Sequence, residues 1–152
     1  MKVQRTVKTS VIGSVLICLV TTFAPSGASK SEQKEANKVD EPGIRITLIP
    51  PKGEGPDSNG TIGGQASGPN LKECKVVIFA RTDKWYVQPT VASPDTPIEE
   101  GGKWETDIHL GYEYAAMLVK SSYEPQSTYP TGALPKVGGA VLAIARVPAR
   151  KE

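Results

Sequence analysis

Glu105, Asp107 and His109 stand at every second position of KWETDIHL, the stretch from Lys103 to Leu110. Residues two apart in a strand share a face. A strand here would therefore line up two carboxylates with the only histidine of the chain. Those are the materials of a proton relay serving a Ser, Thr or Cys nucleophile. No nucleophile elbow accompanies them: in GQASG, Gly64 to Gly68, the serine falls one place too late for G-x-S-x-G. Glu99, Glu100, Glu105 and Asp107 are near enough in sequence to be considered as paired acids for glycoside hydrolysis. Acids in a turn followed by a polar strand face need no such role, so the row is read as a solvated face and no catalytic residue is assigned. One histidine and one cysteine in the exported part cannot build a structural zinc site. Asp57 and Asn59 in PDSNG resemble the start of a calcium loop, but the later glutamate is missing and an Asx turn explains them. No metal or cofactor is expected.

A second group lies in DKWYVQP, Asp83 to Pro89. Alternation puts Tyr86 and Gln88 on one strand face and Trp85 and Val87 on the other. The expectation is that Trp85 packs inward while Tyr86 looks outward beside the proline-rich loop from Pro89 to Pro97. Asp83, Lys84, Tyr86 and Gln88 are then candidate ligand-binding residues, with one ring for stacking and three polar groups for hydrogen bonds. The competing expectation is that the loop folds over Tyr86 and protects a sheet edge.

These residues must be positioned by a small exported domain. MKVQRTVK carries Lys2, Arg5 and Lys8 without an acid and precedes an apolar run from Val11 to Ala24. With small residues at Ser26 and Ala28, this reads as a signal peptide, residues 1–28, cleaved after Ala28. The alternative, an uncleaved membrane anchor, would want roughly 18 or more apolar residues. Secretion or a periplasmic location follows, with the export signal as the only link to a membrane. Of 18 Lys and Arg, three precede Ser29, whereas all 16 Asp and Glu follow it, so the exported part is close to neutral. It has no basic footprint for nucleic acid. Cys74 is the one cysteine left after processing, which excludes an internal disulfide and leaves stability to a core.

Residues 29–43 are charged and almost devoid of apolar side chains, and are read as a disordered linker. A period of two begins at IRITLI, with Ile44, Ile46 and Leu48 on one face, and ends at Pro50-Pro51. A short strand is expected within Thr61–Ala66, and ECKVVIFAR reads as a central strand because it is apolar on both faces. KWETDIHL alternates with Trp104, Thr106 and Ile108 inward. YEYAAMLV is read as a strand despite its alanines, with the hydroxyls of Tyr112 and Tyr114 able to stay wet, and GGAVLAIARV closes the domain. The domain is set at 44–148 with a tail at 149–152. Seven or eight short strands with regularly spaced turns predict an all-β sandwich.

The order of glycines and aromatics within Thr61–Pro125 resembles the carboxypeptidase regulatory-like and prealbumin-like sandwich domains of exported bacterial proteins. Ile62 stands in a short glycine-flanked strand, Val76, Val77 and Ile78 in a valine-rich one, Gly101 and Gly102 precede Trp104, and Gly111 opens the strand with Tyr112 and Tyr114. Gly101-Gly102-Lys103 replaces the Asp-Gly usual in that family. The resemblance implies an antiparallel sandwich of about seven strands with a structural, adhesion or ligand-binding role and no catalytic residues. A glycan or another exported or cell-surface protein is the expected partner, and a carbohydrate-binding module built on Tyr86 is the alternative reading; a small hydrolase using Glu105 to His109 is a lesser one.

Overall fold

The computed structural model describes residues 41–55 and 57–151, which belong to the compact unit of residues 34–152. The segment 1–28 read as a signal peptide, and most of the segment 29–43 read as a linker, fall outside the described residues. The described residues are all-β, with nine strands: β1 (Gly43–Leu48), β2 (Asn59–Ser67), β3 (Cys74–Arg81), β4 (Trp85–Gln88), β5 (Asp95–Thr96), β6 (Lys103–His109), β7 (Glu113–Lys120), β8 (Thr128–Tyr129) and β9 (Val141–Pro148). They form a three-stranded sheet, β1-β2-β6, and a six-stranded sheet, β8-β4-β3-β7-β9, in which β5 also pairs with β3. All the strand pairings within both sheets are antiparallel.

The larger sheet is buried on both faces, which explains why β3 and β7 lack alternation. On one face Val76, Ile78, Ala80, Tyr114, Ala116 and Leu118 meet Ile62, Ala66, Trp104 and Ile108 of the smaller sheet. On the other, Val77, Phe79, Trp85, Val87, Met117 and Val119 are covered by Tyr123, Tyr129 and Leu134 from the segment that follows β7. Tyr129 stands on β8 at the margin of the same sheet, and Tyr123 and Leu134, from the irregular stretches on either side of β8, form an outer layer over this face. The ring of Tyr129 meets Phe79 edge-on at 5.4 Å, and its hydroxyl lies 3.3 Å from that of Tyr123. Burial and this hydrogen bond push the Tyr123 phenol well above its ordinary pKa.

Trp85 is accordingly buried, but on the outer face of the larger sheet and not between the sheets as expected. Across the hairpin, Trp85 lies opposite Arg81 and Val87 opposite Phe79, whereas Tyr86 lies opposite Ala80 and Gln88 opposite Ile78. Directly opposed residues point to the same face, so Tyr86 and Gln88 turn toward the smaller sheet. Arg81 and Arg146 stand over the Trp85 ring at 5.9 and 4.8 Å and share the carboxylate of Glu113 at 2.7 and 3.7 Å.

The smaller sheet alternates as a half-solvated sheet should: Trp104 and Ile108 are buried and Glu105, Asp107 and His109 exposed. In β1 the alternation fails after Ile46. A bulge shifts the register there and leaves Leu48 41 % exposed instead of in the core. Gly64 of β2 makes room for its neighbours on both sides within the smaller sheet, because a Cβ would run into the Arg45 carbonyl oxygen of β1 and the Trp104 ring of β6. The C-terminal tail is tied down as far as Arg150: Ala149 N–H donates to the Tyr112 carbonyl at 3.1 Å and Arg150 N–H to that of Pro50 at 3.0 Å.

Tyr114 departs most from expectation. Its ring is fully buried, and its hydroxyl accepts from Gly111 N–H at 3.0 Å and donates to the Pro51 carbonyl at 2.7 Å. Burial raises its pKa. It therefore clamps the loop after β1 to the corner between β6 and β7.

Candidate functional site

The two sheets have unequal widths. β1 faces β7 and β9, and β6 faces β3 and β5. β6 is the last strand of the smaller sheet on that side, whereas the larger sheet continues through β4 and β8. The inner face of β4 thus projects past β6 without a strand above it among the described residues. A cleft of about 600 Å³ occupies this overhang, with Tyr86 and Gln88 from β4 at its base, Pro89 and Val91 on one side and His109 and Leu110 on the other.

Three of the four candidate residues gather at the hairpin end. Thr82 N–H donates to the Lys84 carbonyl at 3.1 Å to close the turn between β3 and β4. The Tyr86 hydroxyl donates to Asp83 Oδ1 at 3.0 Å, and Lys84 Nζ lies 5.4 Å from the centre of the Tyr86 ring. The bond from Tyr86 holds the Asp83 carboxyl below its usual pKa and raises that of the phenol. Thr131 Oγ1 donates to the Asp83 carbonyl at 2.7 Å, which fixes the turn to the outer layer. Asp83 and Lys84 thus hold the Tyr86 ring, while Tyr86 and Gln88 line the cleft.

Gln88 differs from the other three. It is 4 % exposed, and its Oε1 accepts from His109 N–H at 3.0 Å. An N–H donor leaves no choice of amide orientation, so Nε2 is presented toward the cleft, where it has no partner among the described residues. The fixed donor is the most specific chemical feature of the cleft.

Sequence reasoning missed His109, Leu110 and Val91 as lining residues. Val91 is 67 % exposed, the one large aliphatic side chain in the loop PTVASPDTP, and that was the available signal. The loop from Pro89 does not close over Tyr86; it forms a wall and leaves the ring half-buried.

The acidic row does not assemble a relay. Asp107 Oδ1 accepts from Thr61 Oγ1 at 2.7 Å and Glu105 pairs with Lys103 at 3.4 Å. Both carboxylates are thus engaged by neighbours on the exposed face. Among the described residues no group of three or more His, Cys, Asp or Glu is placed to hold a metal ion, and no helix is long and apolar enough to cross a membrane. Cys74 is half-buried with its Sγ 3.5 Å from the Asn70 carbonyl, and burial followed by the charge of Glu73 raises its thiol pKa.

No family model matches the chain, and no curated protein or solved structure matches it. The chemistry of the cleft therefore has to be read from its own residues.

Proposed function

We propose that this chain is an exported, non-catalytic β-sandwich module that binds a ligand in the cleft beneath the overhang of β4. The carrying observation is Gln88: a buried carboxamide, oriented by His109 N–H, with its Nε2 free toward a cleft that also offers a half-buried ring and apolar walls. Ligand sites combine largely apolar linings with a few fixed polar groups in this way. The export signal and the resemblance to carboxypeptidase regulatory-like sandwich domains support a role outside the cytoplasm, as a structural, adhesion or binding element that contacts a glycan or another exported protein. The Tyr86 ring, whose hydroxyl is held by Asp83 while part of its surface remains open, can stack on a sugar or pack against a side chain of a polypeptide.

The test is intrinsic fluorescence of the chain from Ser29 onward, titrated with soluble polysaccharides, cell-wall fragments and peptides, with Tyr86→Ala and Gln88→Ala as controls. A saturable change lost in both variants supports the cleft. A folded protein that responds to none of them, or whose response survives both substitutions, contradicts it.

A further inference from the structure

We infer that the cleft and the adjoining free edge of β6 together receive an extended, basic polypeptide segment, which adds to the smaller sheet as its fourth strand. The inference rests on the cleft reading above and names the class of its ligand.

The geometry begins with the pairing of β6. In an antiparallel pair, alternate residues direct their backbone N–H and C=O toward the same neighbour. His109 N–H points away from β2, since it donates to Gln88, and the Lys103 carbonyl also points away, since it accepts from Glu99 N–H at 2.7 Å. Lys103, Glu105, Asp107 and His109 therefore all present their backbone groups to the free edge. The chain caps both ends of this row, through Glu99 at Lys103 and Gln88 at His109. Between them the backbone groups of Glu105 and Asp107 have no partner among the described residues. Unpaired edge groups of this kind are a template for strand addition.

The occupant is selected by charge. Glu105 and Asp107 project from the exposed face beside the open groups, where Glu105 lies 3.4 Å from the exposed Lys103 ammonium and Asp107 accepts from Thr61 Oγ1, a neutral donor, so the acidic charge of the row is only partly offset. Two copies of β6 paired antiparallel about Thr106 would set Glu105 against Asp107, acid against acid, so a second copy of this chain is disfavoured. A segment with Lys or Arg at two alternate positions meets both carboxylates. Its intervening side chains point inward, as Thr106 and Ile108 do, and the one nearest His109 enters the cleft beside Tyr86 and Val91. Gln88 Nε2, on a side chain that lines the cleft and is oriented by His109 N–H, is placed to donate to a carbonyl of that segment. Thr96, 1 % exposed and without a partner for its hydroxyl, lies on the same inner row of the larger sheet.

The experiment is an amide NMR titration of the exported chain with a synthetic peptide of alternating Val and Lys. Three comparisons accompany it: a Val and Glu peptide, the Val and Lys peptide N-methylated at alternate residues, and a panel of soluble glycans. The expected result is saturable shifts at Glu105 and Asp107 together with Gln88 and His109, slowed hydrogen exchange at Glu105 and Asp107, and loss of both with the N-methylated peptide. The double variant Glu105→Lys, Asp107→Lys should weaken binding by more than about tenfold, because it sets like charges opposite; the N-methylated peptide provides the same test on the unaltered protein. Shifts confined to the cleft, whether from a glycan or from a peptide that tolerates N-methylation, overturn the strand addition and leave the cleft reading standing. No shift at the cleft or the edge with any ligand overturns both.

Discussion

Replacing Tyr114 with Phe removes one oxygen from the interior and nothing else. That oxygen satisfies the Gly111 N–H at 3.0 Å and the Pro51 carbonyl at 2.7 Å, and the side chain that carries it is fully buried. Phe retains the ring packing, so no cavity term enters. What remains is the cost of stranding a buried amide and a part-buried carbonyl, about 1–3 kcal/mol. With a urea dependence of roughly 1.5 kcal/mol per M, the unfolding midpoint should fall by roughly 0.7–2 M while the slope stays unchanged. The assay is urea unfolding followed by Trp fluorescence, with hydrogen exchange at Gly111 as a local readout. Faster exchange there should accompany the loss, because Gly111 and Pro51 are the two backbone segments the hydroxyl joins. A midpoint shift below about 0.3 M, or an unchanged Gly111 exchange rate, would refute the clamp.

Alkaline pH should act through the same side chain. The folded pKa of Tyr114 and of Tyr123 lies above the ordinary value, so above about pH 10 the unfolded chain loses these protons first and stability falls as pH rises. Urea midpoints at pH 8 and pH 11 measure this, and Tyr114→Phe should show a smaller drop than the unaltered chain. Gly64→Ala should destabilise the domain by about 3 kcal/mol or more, since the Arg45 backbone and the Trp104 ring leave no room for a methyl group; a thermal midpoint near that of the parent would count against the close approach. Cys74, with its thiol pKa raised by burial, should alkylate with iodoacetamide more slowly than the urea-unfolded chain at pH 8, and equal rates would show the thiol to be freely accessible.

Much of this fold can be read from local pattern where one face of a strand meets water. β6 is the clearest case, because Trp104, Thr106 and Ile108 alternate with three hydrophilic residues. β3 also declares itself, since an apolar run signals burial on both faces. The same logic failed at β4. Alternation separates Trp85 from Tyr86 but does not say which face meets the other sheet, and both faces here are covered, one by the smaller sheet's margin and one by the segment carrying Tyr123, Tyr129 and Leu134. A polar, proline-containing stretch gives no local sign that it will form such a layer. The two-residue strands β5 and β8 are too short to show a period, so sequence pattern alone yields seven or eight strands where the described residues form nine. The bulge after Ile46 reversed the face of Leu48 without a glycine to announce it.

The candidate site was legible in part for a related reason. Tyr86 and Gln88 share a face by strand period alone, and that grouping holds in the structure. The role of Gln88 depends on His109, 21 positions away, and no local pattern links them. Likewise the overhang that makes the cleft comes from unequal sheet widths, a property of the whole topology.

The most direct test of the account is an amide NMR titration of the chain from Ser29 onward with the glycan and peptide panel, read at Tyr86, Gln88, Val91, His109 and Leu110. Saturable shifts concentrated on these residues, and abolished by Gln88→Ala in a folded protein, are the predicted result. Saturable shifts that cluster elsewhere, or that persist in Gln88→Ala, would contradict the claim that the cleft beneath β4 is the binding site.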